Sequence, residues 1–274
     1  MPEGHTIHRL AREHTALLAG QRLALTSPQG RFAAGAELLD GHRLDRVEPY
    51  GKHLFYRFES DLRLHVHLGL YGSWQSGRLP PPAPRGAVRV RMVGESGYVE
   101  LRGPTACEVL TGAEQAAIEA RLGPDPLRRG ARPGKAWTRI RRSRAPVAGL
   151  LMDQSVIAGI GNVYRAELLY LHRLDPFRPG NSLAEENFLG MWADLRRRMQ
   201  AGVRSGRIVT TRPSDRSRRR GPPSREDSFY VYRRAGLACR SCGTPVRTEV
   251  LAGRNLYWCP VEQPPWAARP DGLV

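Results

Sequence analysis

Residues 153–169 read DQSVIAGIGNVYRAELL, and this stretch decides how the second half of the chain is organised. Apolar residues recur at helical spacing on both sides of Gly159 and Gly161, which predicts a helix, a tight glycine turn and a second helix. Glycines let the backbone approach a ligand closely, and the N–H groups that open a helix attract anions. With the Asn162 side chain they predict a phosphate site, and close packing of the two helices is the alternative.

The charge of the whole chain favours the phosphate interpretation. The 274 residues carry a formal net charge of +17 and a sequence pI of about 10.8, mostly through arginine. The planar guanidinium suits phosphate, so a nucleic acid is the expected partner, although charge does not distinguish DNA from RNA. No stretch has the length of a membrane span and the start lacks a secretory signal, so the sequence predicts a cytoplasmic, nucleoid-associated protein.

The character of the sequence changes along the chain and predicts several domains. Residues 6–18 have the apolar spacing of a helix, and short alternating runs from there to about residue 111 predict a β-sandwich or barrel. A linker rich in Pro, Gly and Arg is expected at 123–135, and a mainly helical region follows over about 136–204. The segment 210–227 has almost nothing to bury and is expected to be a mobile basic loop.

Three of the four cysteines lie close together in the last segment, which should be rich in β-structure. Cys239 and Cys242 are separated by two residues and Cys259 follows after sixteen more, a spacing typical of a two-knuckle zinc site. The second knuckle would place a fourth ligand three residues after Cys259, where this chain has Glu262. A Cys3Glu zinc site and a metal-free hairpin held by its own apolar residues both remain open. Arg254, which follows a glycine at the expected hairpin turn, is placed either to face a groove or to grip a phosphate.

The start of the chain, MPEGHTIHRL (residues 1–10), allows two interpretations. Pro2 and Glu3 suit the first turn of a helix. Alternatively, removal of Met1 would leave Pro2 as a secondary amine, a nucleophile near neutral pH because the pKa of an α-amino group is roughly 7.7–8.0. Attack of this amine on a sugar C1′ gives an iminium that acidifies the neighbouring carbon. Glu3 would then move the protons that ring opening and elimination require.

Two further stretches each have a structural and a functional interpretation. In GKHLFY (51–56), Lys52 follows a glycine turn at the start of a strand. It is either an ordinary surface lysine or an ammonium group that reaches a phosphate or a leaving group. In HLGLYGSW (67–74), Leu70 and Tyr71 lie between two glycines. They either pack in the core or insert as a wedge into a base stack.

Two other features are expected to be structural. His65 and His67 share one face of a strand, and with no third ligand nearby in the sequence they are interpreted as packing or polar-face residues. Cys107 stands alone, and a lone cysteine is usually a small buried hydrophobe. Neither feature predicts a site of its own.

These motifs and their order resemble the formamidopyrimidine-DNA glycosylase and endonuclease VIII family over essentially the whole chain. MPEGHTIHRL, GKHLF, HLGLYG, DQSVIAGIGNVYRAE and the terminal cysteine unit carry the resemblance, and the MPEGH start resembles most the actinobacterial endonuclease VIII branch. The resemblance implies an α+β multi-domain fold with DNA in the cleft between two main domains. Its parts would be an N-terminal β-sandwich with a leading helix (1–122), the linker (123–135), a helix-two-turn-helix domain (136–228), a zinc-finger-like β-hairpin (229–266) and a tail (267–274).

The resemblance also implies an activity: a base-excision-repair DNA glycosylase and abasic-site lyase. The partner would be double-stranded DNA with an oxidised base, pyrimidines being favoured, or an abasic site, and the protein would be a monomer. Pro2 would form the Schiff base, Glu3 would act as acid and base, Lys52 would contact phosphate and assist the chemistry, and β,δ-elimination would follow. Zinc would be structural, with no catalytic cofactor. The residues implied in DNA binding are Asn162, Gly161, Arg254, Leu70 and Tyr71, and those implied in zinc binding are Cys239, Cys242, Cys259 and Glu262.

Two positions depart from the family pattern. His5 and Thr6 stand where relatives commonly have Pro and Glu, which bears on the hydrogen bonds that Glu would support in the active site. Glu262 replaces a fourth cysteine, which bears on metal binding and on the rigidity of Arg254. Three alternative functions stay open: a non-catalytic protein that keeps the DNA clamp, a protein that is chiefly an abasic-site lyase, and an RNA-binding zinc-ribbon protein.

Overall fold

The computed structural model describes residues 2–218 and 220–267, and the chain divides into two compact units, Met1–Leu122 and Gly123–Val274. Met1, Arg219 of the expected loop and residues 268–274 of the expected tail lie outside the described residues. In the described part of the chain, none of the helices combines the length and the hydrophobicity that crossing a bilayer requires. The finer domain boundaries given above stay predictions.

The described residues of the first unit form helices packed on two sheets. The helices are α1 (Gly4–Leu18), α2 (Ala33–Leu39) and α3 (Gly112–Ala120). The strands are β1 (Ala24–Thr26), β2 (Leu44–Tyr50), β3 (His53–Phe58), β4 (Leu62–His67), β5 (Ser73–Gly77), β6 (Val88–Val93), β7 (Tyr98–Arg102) and β8 (Ala106–Thr111).

Helix α1 leads the first unit and buries one face. Ile7 and Leu18 on this face are almost completely buried in the core of the unit. His14 lies on the same face, with its Nδ1 atom 2.7 Å from the hydroxyl of Tyr56. Glu3 precedes the helix in an extended conformation (φ −120°, ψ 177°). Packing of the buried face therefore gives the residues just before α1 a defined position on the unit.

The strands of the first unit pair into two four-stranded antiparallel sheets within the described residues. Their orders are β1-β6-β7-β5 and β2-β3-β4-β8. Because successive side chains along a strand point to opposite faces, each sheet turns one apolar face to a shared core. Val90 and Met92 reach this core from the first sheet, and Leu54 and Tyr56 from the second. The predicted β-sandwich with a leading helix is confirmed.

The second unit is mainly helical before its terminal hairpin. Its α-helices are α4 (Gly134–Ile140), α5 (Val147–Met152), α6 (Asn162–Leu171) and α7 (Glu185–Ser205) in the described part of the chain. They share one core with the hairpin. Ile140, Leu151, Phe188 and Leu256 are almost fully buried in it.

Between α5 and α6 the chain makes consecutive turns, which corrects the expectation that DQSVI begins in a helix. Helix α5 ends at Met152, and the side chain of Gln154 then satisfies the backbone groups of the turns. Its Nε2 donates to the carbonyl oxygens of Met152 and Ile160, each at 2.9 Å, and its Oε1 accepts the N–H of Gly159 at 3.0 Å. Gly159 has a φ of +93°, which only glycine adopts readily. The helix-two-turn-helix arrangement is confirmed.

The expectation that residues 210–227 have almost nothing to bury is wrong at both ends of the segment. The N–H of Thr210 donates to the carbonyl oxygen of Ser228 at 2.9 Å, and the Thr211 hydroxyl donates to that of Asp227 at 2.5 Å. All four residues are buried. Polar groups that find partners inside the protein can be buried without an apolar pattern, so composition alone did not predict this anchoring.

The described chain closes with an antiparallel hairpin, as predicted. Strand β9 (Arg247–Leu251) pairs with β10 (Arg254–Trp258). Ala252 and Gly253 connect them with φ values of +51° and +70°, the pattern of a two-residue type I′ turn. Leu256 on β10 is fully buried among the helices of the second unit. The hairpin is therefore part of that unit's core.

Candidate active site and nucleic-acid interface

The structure places Pro2 and Lys52 at one small cavity in the first unit. Its lining includes Pro2, Lys52, Ile7, His67 and Leu68. Pro2 precedes α1, and Lys52 lies between β2 and β3. His67 is the last residue of β4, and Leu68 follows it. The fold therefore brings together two residues that the sequence separates by fifty positions.

Glu3 lies beside Pro2 and is fully buried, with no exposed surface. Its carbonyl oxygen accepts the N–H of Thr6 at 2.9 Å, but its side chain makes no capping bond to α1. Glu3 stands at the N-terminal end of α1, where its charge also complements the helix dipole, so the structural and the catalytic interpretations both remain. His5 is also buried, and burial together with neighbouring positive charges lowers its pKa to about 4, so the ring is neutral at physiological pH.

Lys52 was predicted at the start of a strand, but it lies in the turn that joins β2 to β3, and the strand begins one residue later, at His53. Tyr50 pairs with His53, so Gly51 and Lys52 form a two-residue turn. Gly51 has a φ of +56°, a conformation that side chains disfavour. The tight turn fixes where the lysine leaves the backbone, at the cavity that also contains Pro2.

Leu70 and Tyr71 lie in the loop that follows β4 and are exposed, which excludes the core-packing alternative. Leu70 is 43% exposed and Tyr71 is 88% exposed. The glycines on either side of them are required because the loop leaves no room for a side chain there. A Cβ at Gly69 would lie 1.8 Å from Thr105 Oγ1, and a Cβ at Gly72 would lie 2.3 Å from a backbone oxygen. The loop is therefore tightly turned and presents two apolar side chains to solvent.

In the second unit, Asn162 joins the start of α6 to the terminal hairpin. Its Nδ2 donates to the carbonyl oxygen of Asn255 at 2.9 Å, and its Oδ1 accepts a bond from Arg165. Arg165 is fully buried and also donates to the Asn255 carbonyl at 3.2 Å. Arg254 is the residue before Asn255 and begins β10. The structure therefore brings the predicted phosphate residues Asn162 and Arg254 into one neighbourhood, with Gly161 as the residue just before α6.

The three cysteines of the terminal segment form a cluster suited to zinc. The Sγ atoms of Cys239, Cys242 and Cys259 all lie within 4.8 Å of one another, and the last two are 3.5 Å apart. Four thiolates at about 2.3 Å from a tetrahedral zinc ion would lie roughly 3.8 Å from one another. The cluster is close to that geometry, so its donor set fits the metal.

Glu262 is near this cluster, but its carboxylate takes another partner. Its backbone N–H points to Cys259 Sγ at 3.5 Å, and its Oε2 lies 3.5 Å from Nη2 of Arg173. Among the described residues, the group whose ligand atoms are mutually close comprises the three cysteines and not Glu262. The ion pair with Arg173 explains why the Glu262 carboxylate is not grouped with the three sulfur atoms.

Sequence reasoning missed two buried charged residues of α6. Arg165 holds Asn162, and Glu167 accepts the backbone N–H groups of Val231 and Tyr232 at 2.8 Å each. Both residues are fully buried. The available signal was their position in a helix with apolar residues on every side, where a charge needs an internal partner.

Three family models match successive parts of the chain. The formamidopyrimidine-DNA glycosylase N-terminal domain matches residues 1–106, and the formamidopyrimidine-DNA glycosylase H2TH domain matches residues 122–214. The zinc finger found in FPG and IleRS matches residues 236–261. The three matches follow the order of the sandwich, the helical region and the cysteine hairpin.

Known proteins resemble the chain over almost its whole length. Endonuclease 8 1 of Mycobacterium tuberculosis is 51% identical over 268 residues, covering 96% of this chain and 100% of that protein. Formamidopyrimidine-DNA glycosylase of Thermus thermophilus is 32% identical over 271 residues, covering 96% and 98%. The crystal structure of the MutM (Fpg) protein from Thermus thermophilus matches with a TM-score of 0.77 at 29% identity, covering 96% and 98%. Lactococcus lactis Fpg, in complex with DNA containing an abasic site, shares the fold with a TM-score of 0.79 at 21% identity, covering 96% and 100%.

Proposed function

Because the chain belongs to the formamidopyrimidine-DNA glycosylase and endonuclease 8 family, we propose that it is a bifunctional DNA glycosylase and abasic-site lyase of base excision repair. The observation that carries the proposal is the cavity in which Pro2 and Lys52 stand together, with Glu3 buried beside them. The net charge of +17 supports a polyanionic substrate, and the proposed substrate is double-stranded DNA.

The proposed reaction begins at Pro2 and requires that Met1 be removed. The secondary amine of Pro2 attacks C1′ of the damaged nucleotide, the C1′–N bond breaks, and the base leaves with the bonding electron pair. The proline nitrogen loses its proton and the sugar ring then opens: the C1′–O4′ bond breaks, O4′ takes up a proton, and C1′ and the nitrogen form an iminium. The iminium makes the C2′ proton acidic, and loss of that proton expels the 3′ phosphate by β-elimination. A second elimination expels the 5′ phosphate. No redox step is involved.

Glu3 and Lys52 have different roles in this scheme. Glu3 is next to the nucleophile in the chain and moves protons during ring opening and elimination, as a general acid and base. Lys52 is fixed at the cavity by its tight turn and stabilises the phosphate beside the lesion as a point charge. Neither role calls for a catalytic metal.

The proposed DNA contacts come from both units. Leu70 and Tyr71 fill the space left by an extruded nucleotide, which their exposure supports. Arg254 and the start of α6 at Gly161 and Asn162 bind phosphates. Since the Asn162 amide already donates to the Asn255 carbonyl, its main contribution is to hold the hairpin against α6. Oxidised pyrimidines are the proposed base class, and the resemblance to endonuclease 8 proteins supports it.

A zinc ion held by Cys239, Cys242 and Cys259 completes the proposal. The mutual approach of the three sulfur atoms supports these ligands. When bound, zinc supplies structural cross-linking of the hairpin and no chemistry on DNA. Glu262 is proposed as the fourth ligand, and its carboxylate would exchange Arg173 for the metal. Elemental analysis of the wild-type protein and of Glu262→Gln tests this. We expect one zinc ion per wild-type chain and less than one per chain in the variant.

Borohydride trapping tests the proposed function. The purified protein is mixed with duplex DNA containing a single abasic site, and borohydride reduces any iminium to a stable amine. The expected result is one covalent adduct whose crosslinked peptide maps to Pro2 by mass spectrometry. A form that retains Met1 is the matched control, because it keeps the sequence but lacks the secondary amine.

The outcome also separates the alternative functions. Tight binding of the abasic duplex without any adduct would replace the enzyme by a non-catalytic DNA-binding protein. An adduct with an abasic site but no release of oxidised pyrimidines from duplex DNA would indicate that the protein is chiefly an abasic-site lyase. Stronger binding to structured RNA than to the abasic duplex would favour an RNA-binding protein.

A further inference from the structure

His65, His53 and Glu108 form a hydrogen-bonded chain on the face of the β2-β3-β4-β8 sheet that lies opposite the shared core. Nδ1 of His65 is 2.8 Å from Oε1 of Glu108, and Nε2 of His65 is 2.9 Å from Nδ1 of His53. His65 is 4% exposed, whereas the Glu108 side chain is 52% exposed. The chain therefore runs from a carboxylate at the surface to a buried ring and on to a half-buried one.

The bonding pattern fixes which nitrogen of each ring carries the proton. A carboxylate only accepts, so Nδ1 of His65 must donate to Glu108. Burial lowers the pKa of His65 and lowers that of His53 to about 3, so both rings are neutral near pH 7. In a neutral ring the other nitrogen is an acceptor, so Nε2 of His65 accepts from Nδ1 of His53. His53 is then left with Nε2 as its lone-pair atom.

The hydrogen-bonded series from Glu108 through His65 stops at His53, beside the cavity that contains Pro2 and Lys52. His53 follows Lys52 in the sequence, and in the sheet it pairs with His67, which lines the cavity. The rings of His53 and His67 are 4.9 Å apart between centroids. Burial lowers the pKa of His67 as well, and the nearby Lys52 charge adds to the effect. The cavity wall therefore includes one neutral imidazole, that of His67, beside Lys52, and the His53 ring lies directly behind His67.

Packing alone does not account for this arrangement. Phe55 stacks on His65 at 4.9 Å with an angle of 17°, so the surface accommodates an apolar ring in the same layer. Aromatic rings without nitrogen would bury more apolar area and would avoid the cost of desolvating polar atoms. The hydrogen bonds instead give the rings one defined protonation pattern and one orientation.

We propose that Glu108 and His65 are positioning residues that act through His53 to hold His67 and Lys52 in the geometry and charge state that the elimination steps need. The proposal rests on the proposed function. The attack of Pro2 on C1′ uses the amine itself. Each elimination, in contrast, removes a proton from the sugar and expels a phosphate beside the cavity wall, so misplacement of the wall slows elimination more than attack.

Substitutions of Glu108 test the proposal without disturbing the core, because this side chain is half exposed. Glu108→Met keeps the length but removes the acceptor. Glu108→Gln keeps an oxygen that accepts from Nδ1 of His65. Glu37→Met, on the exposed face of α2, is the matched control. With abasic duplex DNA, we expect Glu108→Met to lower the kcat of strand cleavage about tenfold with KM unchanged within about twofold. We expect Glu108→Gln to restore kcat to within about twofold of wild type.

A second variant and a second readout keep the outcomes separate. His65→Phe retains the ring stack on Phe55 and removes both hydrogen bonds, and it is expected to match Glu108→Met. Borohydride-trapped adduct should form at the wild-type rate in every variant. A wild-type protein without adduct would refute the proposed function. A normal adduct with a kcat in Glu108→Met equal to that of Glu37→Met, or a Gln variant as slow as the Met variant, would overturn the positioning role.

Discussion

The buried carboxylate of Glu167 on α6 is expected to contribute strongly to the stability of the second unit. Its Oε1 accepts the N–H groups of Val231 and Tyr232, and its Oε2 accepts the N–H of Tyr230, each at 2.8 Å. The hydroxyl of Thr210 also donates to Oε2. Glu167→Gln preserves the volume and one accepting oxygen, but it places an NH2 group where Oε2 was. The NH2 group then faces the N–H of Tyr230, and because both groups are donors the buried N–H loses its acceptor.

The expected loss follows from the number of bonds changed. A buried donor without an acceptor costs about 1–3 kcal/mol, and hydrogen bonds to a charged group contribute roughly 1.5–3 kcal/mol each. With one N–H left unsatisfied and the remaining bonds weakened by loss of the charge, Glu167→Gln should lower the free energy of unfolding by about 3 kcal/mol. At roughly 2–4 °C per kcal/mol for a domain of this size class, Tm should fall by about 6–12 °C.

Differential scanning calorimetry measures this change. Glu249→Gln is the control, because Glu249 lies on β9 of the same unit and is exposed. It removes the same charge and should shift Tm by no more than about 1 °C. A Glu167→Gln variant that melts within about 2 °C of wild type, or no lower than the control, would refute the assignment of these bonds as a stabilising cluster.

Other predictions concern pH, the exposed loop and the metal. Burial lowers the pKa of His14 to about 4 from 6.5, so between these values the unfolded chain binds a proton that the native chain excludes. Stability should therefore be lost as pH falls from 6.5 to 4, by up to about 3 kcal/mol, and urea midpoints should depend less on pH in His14→Gln. Tyr71→Ala should leave Tm unchanged, since the side chain is 88% exposed, but should slow excision from duplex DNA about tenfold and spare cleavage of abasic single strands. Cys259→Ser should lower the zinc content and the affinity for duplex DNA without preventing the Pro2 adduct. Wild-type zinc content in that variant would count against the cysteine ligands.

Much of the fold follows from local patterns in the sequence. Periodic apolar residues predicted α1, alternating runs predicted the sandwich, and cysteine spacing predicted the sulfur cluster that the structure shows. These signals work because burial imposes the period of each element on its apolar residues. The amine chemistry of Pro2 and Lys52 predicted them as site residues, whereas their common cavity forms only in the tertiary fold.

The features that the sequence did not predict depend on side chains bonding over long separations. The end of α5 is set by Gln154, whose amide completes backbone bonds in the following turns. The anchoring of residues 210–227 depends on Thr210 and on Glu167, which lies 43 residues earlier. His65 was interpreted as a packing residue because its partner Glu108 belongs to a strand 43 residues away. Periodicity contains no information about such pairs.

The contacts along α6 have a consequence for how the chain folds as it is synthesised. Asn162 finds its carbonyl partner 93 residues later in the chain, at Asn255. At roughly 5–20 residues per second, the ribosome needs about 5–20 s to make that interval. Throughout that time Asn162 and Arg165 lack the Asn255 carbonyl that accepts from both of them, whereas the first unit is already fully synthesised. The sandwich can therefore fold early, whereas the helical unit completes its folding only after the hairpin has been made. During this interval the incompletely folded second unit is the part of the protein that chaperones would bind.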